Sequence, residues 1–125
     1  LTDLDFGLFY DNHIKNENIF SISSYKRKQI NEYGVLEINE KSYLTGFFEK
    51  PTTEFIVSMG IYMSSKEILK YIPYNTMYGF DNLMSDLLKT KKDVGVISFD
   101  GYWLDIGRPD DYEKACNDID KFKNK

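Results

Sequence analysis

A chain of 125 residues, 42% hydrophobic and 16% aromatic, suits one globular domain and buries roughly two-thirds of the surface its unfolded form exposes. A net charge of −4, with no basic stripe carrying interleaved aromatics, argues against nucleic-acid binding. The single cysteine excludes an internal disulfide, and no apolar run approaches the roughly 18 residues that a membrane span needs.

Thr2-Asp3-Leu4-Asp5 has the Ser/Thr-x-x-acid form of a helix start, which puts Asp3 in a first turn. Phe6, Phe9, Tyr10, His13 and Ile14 then recur at helical spacing to about Lys15. His13, the only histidine, falls on the apolar side and reads as a hydrogen-bonded structural residue rather than a general base. Ile19 to Tyr25 alternates as a strand, and a charged loop containing Lys26-Arg27-Lys28 follows through Glu32. Tyr33 to Ile38 and Tyr43 to Glu49 read as a hairpin around Asn39-Glu40-Lys41.

Pro51 ends that hairpin, and Glu54 to Met63 is a fourth strand with Gly60 inside it. Ser64 or Ser65 is expected to cap a helix carrying Ile68, Leu69 and Ile72 up to Pro73. Phe80 to Lys89 is a further helix, with Leu83, Met84, Leu87 and Leu88 inward. Val94 to Phe99 is a strand, Tyr102-Trp103-Leu104 a short one, and the last helix runs from Pro109 to about Lys121. Cys116 in that helix is expected to be buried or half-buried, and Lys123-Asn124-Lys125 to fray. Strands and helices mix without strict alternation, which predicts an α/β fold with a mixed sheet.

Two stretches can carry chemistry. Glu49-Lys50-Pro51 closes a strand with a carboxylate and an ammonium side by side, and the proline forces an irregular end that can turn both toward one cleft. Such a pair suits sugar hydroxyls and a phosphate. Gly101 to Tyr112 reads as strand end, corner and helix start. Gly107 can supply the corner's backbone angles, Pro109 presets the first helical residue, and Asp110 and Asp111 face the helix dipole. Asp105 is left as a lone carboxylate at the carboxyl end of a strand, where open α/β sheets bind ligands and metals.

Together, Tyr33-Gly34, Glu49-Lys50-Pro51, Ser58-Met59-Gly60-Ile61-Tyr62 and Tyr102-Trp103-Leu104-Asp105-Ile106-Gly107 with Pro109-Asp110-Asp111-Tyr112 resemble the sugar-1-phosphate nucleotidylyltransferases in order and spacing. The resemblance covers essentially the whole chain, but only the C-terminal half of the family's. It implies a Rossmann-like sheet flanked by helices. It also implies nucleotidyl transfer from an NTP to a sugar 1-phosphate, giving NDP-sugar and pyrophosphate. Gly34 would let the backbone approach the sugar, and Glu49 would bind its hydroxyls. Lys50 would take the sugar phosphate and serve catalysis, while Ser58 and Gly60 would line the pocket. Asp105 would be one of two aspartates holding Mg²⁺, the other lying just upstream of Leu1.

The family's glycine-rich nucleotide-binding signature is absent, and Ser58 and Arg108 replace the usual asparagine and threonine. The chain therefore reads as a cytoplasmic fragment of a longer enzyme, inactive alone and prone to self-association. The resemblance leans toward guanylyl transfer to mannose 1-phosphate, with the thymidylyl branch beside it. The alternatives are a non-catalytic sugar-phosphate-sensing subunit and, through Asp3-Leu4-Asp5, a metal-dependent glycosyltransferase.

Overall fold

The computed structural model describes residues 1–122, and side chains through residue 119. The expected fraying of Lys123-Asn124-Lys125 lies outside the described residues. The elements run α1 (Phe6–Lys15), β1 (Phe20–Ile30), β2 (Val35–Ile38), β3 (Leu44–Phe48), β4 (Thr52–Ser64), a 3₁₀ helix (Lys66–Tyr71), α2 (Phe80–Lys89), β5 (Val94–Phe99) and α3 (Pro109–Phe122). They fall into two compact units, Leu1–Tyr25 with Ser58–Lys125, and Lys26–Val57.

In the larger unit, β1 and β5 run parallel, with Phe20 opposite Val94 and Tyr25 opposite Phe99. The strand order is β4-β1-β5. The Ser65 N–H donates to the Ile19 carbonyl at 3.0 Å and the Ser23 hydroxyl to the Ile61 carbonyl at 2.9 Å, so β4 descends against β1 and the sheet is mixed. Its core is built from Ile19, Phe20, Ile68, Leu83 and Leu87. Leu87 is fully buried, a burial that stabilises by about 1.5–3 kcal/mol.

α1 starts where Asp5, not Thr2, caps it: the Leu8 N–H donates to Asp5 Oδ1 at 2.9 Å. Phe9 and His13 are its buried residues, while Phe6, Tyr10 and Ile14 on the same predicted face are exposed. His13 is the structural residue expected, with Nδ1 2.8 Å from Ser21 Oγ. That serine also accepts from Asn18 Nδ2 at 3.2 Å.

The smaller unit holds the hairpin β2–β3, with Val35 opposite Phe48 and Leu36 opposite Phe47. Asn39 forms its turn, its side chain accepting from the N–H groups of Lys41 and Tyr43, both at 3.0 Å. The loop expected over Lys26-Arg27-Lys28 is instead strand. β1 continues to Ile30, and Lys28 Nζ meets Glu54 Oε1 at 3.3 Å across to β4. Pairing with a neighbour overrides a polar composition.

Other expectations are corrected by packing. Only six residues separate Ser65 from Ile72, and they close i→i+3 bonds (Ile68 N–H to the Ser65 carbonyl at 3.1 Å), which gives a 3₁₀ helix rather than an α-helix. Ser65 caps it by position but makes no side-chain bond. Leu88 is 72% exposed, because Leu83 and Leu87 already define the inward line of α2 and Leu88 lies about 100° around from it. Cys116 is exposed on the outer side of α3.

Candidate active site

The sequence-predicted residues divide between the two units. Gly34, Glu49 and Lys50 belong to the smaller, and Ser58, Gly60 and Asp105 to the larger.

In the smaller unit, Gly34 and Glu49 are neighbours. A Cβ added at Gly34 would stand 2.8 Å from Phe47 Cε2 and 3.4 Å from Glu49 Oε2, so the absence of a side chain keeps this carboxylate's surroundings open. The irregular strand end expected at Lys50-Pro51 is present, since Lys50 adopts φ 43°. A residue before proline ordinarily prefers extended angles, and a non-glycine residue held in the left-handed region costs about 1–3 kcal/mol. Glu49 and Lys50 are both exposed.

In the larger unit, Gly60 interrupts β4 at φ 76° and is the only glycine in the left-handed region among the described residues. The Gly60 N–H donates to Ser58 Oγ at 3.1 Å, and the Ser58 hydroxyl donates to Tyr62 Oη at 3.2 Å. Residues four apart on a regular strand stand about 13 Å apart, so the tyrosine leans back over the glycine to close this contact. Its ring stacks on Phe80, with centroids 4.7 Å apart. Nothing lies within 4 Å of the position a Gly60 Cβ would take, which leaves open space on that side of the backbone.

Asp105 sits on a corner held from three directions. Its N–H donates to Asp111 Oδ2 at 2.8 Å, its carbonyl accepts from the Arg108 N–H at 2.9 Å, and its Oδ1 accepts from the Gly107 N–H at 3.1 Å. Oδ2 accepts no hydrogen bond among the described residues. The corner does not draw on a left-handed glycine, because Gly107 stays outside that region; the side chain of Asp105 itself closes the turn.

The segment leading to this corner is not the short strand expected. Tyr102-Trp103-Leu104 makes a single antiparallel bridge, Thr2 opposite Trp103. Leu1 and Leu104 exchange backbone bonds of 2.9 Å in both directions, and the Tyr102 N–H donates to Asp3 Oδ1 at 2.8 Å. Asp3 is thereby removed from the helix turn assigned to it and becomes a clasp on Tyr102. Asp5, the other carboxylate of the Asp-x-Asp reading, caps α1 through Oδ1.

Two residues of this region escaped the sequence. Asp111 and Asp118 are buried, and Asp118 Oδ2 accepts from the Tyr102 hydroxyl at 3.1 Å. Burial and this bond raise the Tyr102 phenol above its ordinary value. The signal was their seven-residue spacing, which puts both carboxylates on one side of a helix.

The chain is an α/β protein with a mixed sheet flanked by helices. It matches the nucleotidyl transferase family model over residues 1–121 and belongs to that family. A glucose-1-phosphate adenylyltransferase of Halalkalibacterium halodurans is 29% identical over 93% of this chain and 33% of its own length. A D-glycero-alpha-D-manno-heptose 1-phosphate guanylyltransferase of Aneurinibacillus thermoaerophilus is 30% identical over 95% of this chain and 52% of its own. The crystal structure of HddC from Yersinia pseudotuberculosis superposes with a TM-score of 0.63 at 26% identity, covering 94% of this chain and 51% of that one. The chain thus spans a third to a half of the length of these relatives.

Proposed function

We propose that this chain is the C-terminal, sugar-phosphate-binding part of a sugar-1-phosphate nucleotidylyltransferase, and that it is inactive without the nucleotide-binding part. The observation that carries the reading is the Asp105 corner, where backbone N–H, carbonyl and Oδ1 are all engaged and Oδ2 faces outward. One such oxygen fits Mg²⁺, which takes one or two carboxylates and completes its shell with water and phosphate oxygens. When bound there, Mg²⁺ would supply neutralisation of phosphate charge.

The bridge between Leu1 and Leu104 adds support. In a longer chain, residues continuing it upstream run alongside Asp105 and Ile106, where a second aspartate would complete the pair. Glu49 accepts hydrogen bonds from sugar hydroxyls, and the Lys50 ammonium meets the sugar phosphate as a point charge. Each within its own unit, Gly34 and, separately, Ser58 with Gly60 would admit a sugar close to the backbone.

The sugar-1-phosphate oxygen then attacks the α-phosphorus of the NTP in line. A new P–O bond forms as the bond to pyrophosphate breaks, and the electron pair leaves with pyrophosphate. Positioning and charge neutralisation supply the rate enhancement. The relatives' names differ in base, adenylyl and guanylyl among them, but share a sugar 1-phosphate acceptor. A cytoplasmic setting follows from the NTP substrate, and the isolated chain associates with itself.

The test is pyrophosphate release by the chain extended to its relatives' full length, with Mg²⁺ and a panel of NTPs and sugar 1-phosphates. Release with one pair is expected, falling at least about a hundredfold in Asp105→Asn. No release with any pair from a folded protein overturns the enzyme and leaves a sugar-phosphate-sensing subunit.

A further inference from the structure

We infer that Asp111 is the positioning residue for Asp105: it fixes the backbone from which the outward carboxylate oxygen is presented. This rests on the metal role proposed for Asp105, and it begins from a burial that the helix dipole does not explain. A negative charge in the first turn of α3 is favoured whether or not it is buried, and Asp110, beside it, is exposed. Asp111 is only 6% exposed, and removing a carboxylate from water is unfavourable unless directed bonds replace the lost hydration. One such bond is the 2.8 Å contact from the Asp105 N–H to its Oδ2.

A charge-assisted bond of this kind is stronger than a neutral one. Arg108 holds the carbonyl of Asp105 and Gly107 holds Oδ1, so Asp111 supplies the third constraint. With all three in place, rotation about the backbone and about the side chain is closed off. Oδ2 then has one direction in which to meet a cation. Groups that orient a metal ligand in this way commonly alter metal affinity by about 10–100-fold when removed.

Asp118 is the matched control. It is buried to a similar degree, lies two turns further along α3, and accepts from the Tyr102 hydroxyl instead. A merely structural role predicts that the two aspartates behave alike; a positioning role predicts that they separate.

The experiment compares ¹⁵N-labelled chains extended to their relatives' full length: native, Asp111→Ala, Asp111→Asn and Asp118→Ala. Amide hydrogen exchange at Asp105 is read first, then broadening of Asp105 signals on titration with Mn²⁺ alone. Asp111→Ala is expected to lose about tenfold in protection at Asp105 and to need at least about tenfold more Mn²⁺. Asp111→Asn, whose amide oxygen still accepts, should recover part of both, and it decides the matter if the alanine variant does not fold. Asp118→Ala should leave both unchanged at Asp105. Unchanged protection in the Asp111 variants, or equal losses in Asp118→Ala, overturns the inference. Asp105 signals that Mn²⁺ does not touch in the native chain overturn the metal role instead, an outcome separate from the exchange result.

Discussion

Helices α2 and α3 bury different kinds of side chain. α2 turns Leu83 and Leu87 inward, and its exposed side carries Asp81 and Lys89. α3 turns Asp111 and Asp118 inward, while Tyr112 is 60% and Ile119 52% exposed. Apolar burial is strong but undirected, and α2 adds to it one directed bond, Asp86 Oδ2 accepting from the Tyr78 hydroxyl at 2.8 Å. Carboxylate bonds have direction, and α3 uses them on the N–H of Asp105 and the hydroxyl of Tyr102. One helix holds the fold and the other aims the corner.

The largest effect that tests this contrast is Leu87→Ala, expected to destabilise by about 2–5 kcal/mol in urea unfolding, with Leu88→Ala next to it changing stability by less than about 0.5 kcal/mol. Equal losses would mean that the inward line of α2 has been misplaced. Asp118→Ala should come next, at about 1–3 kcal/mol, since it strips a directed bond from Tyr102. A loss as large as that of Leu87→Ala would make α3 a core helix like α2.

The smallest effect is a pH dependence. The raised Tyr102 phenol keeps its proton in the fold after unfolded tyrosines, near 10.0, have lost theirs. Its stabilisation is therefore complete below about pH 10 and is lost as pH rises through the folded value. Unfolding midpoints compared at pH 8 and pH 11 should fall less in Tyr102→Phe than in the native chain. An identical fall in both would remove Tyr102 from the alkaline response.

Much of this was legible in the sequence because it depends on local chemistry. The hairpin, β5, α2 and α3 follow from alternation, turn residues and apolar spacing, and His13 fell where a structural histidine should. The corner at Asp105 was marked by its own composition, Trp-Leu-Asp-Ile-Gly before a proline. What escaped depends on partners distant in the chain. Lys26-Arg27-Lys28 looks like a loop until β4 pairs beside it, and Asp3 looks like a helix cap until Tyr102 arrives. Asp111 was read as a dipole partner, since nothing in its neighbours announces that it is buried. The same limit applies to Cys116, exposed only because α3 faces inward with its acids.

The clasp between the first residues and the Asp105 corner also fixes an order of events. Leu1 and Leu104 are 103 positions apart, so their two bonds close nearly the whole chain into a loop. Contacts of that separation form late, after local hairpins and helices have brought the ends near. The nascent chain therefore has no corner until α3 has been made, and pulse-labelled exchange should find the Leu104 amide protected after that of Leu83. Asp105 would then take its final setting late in folding.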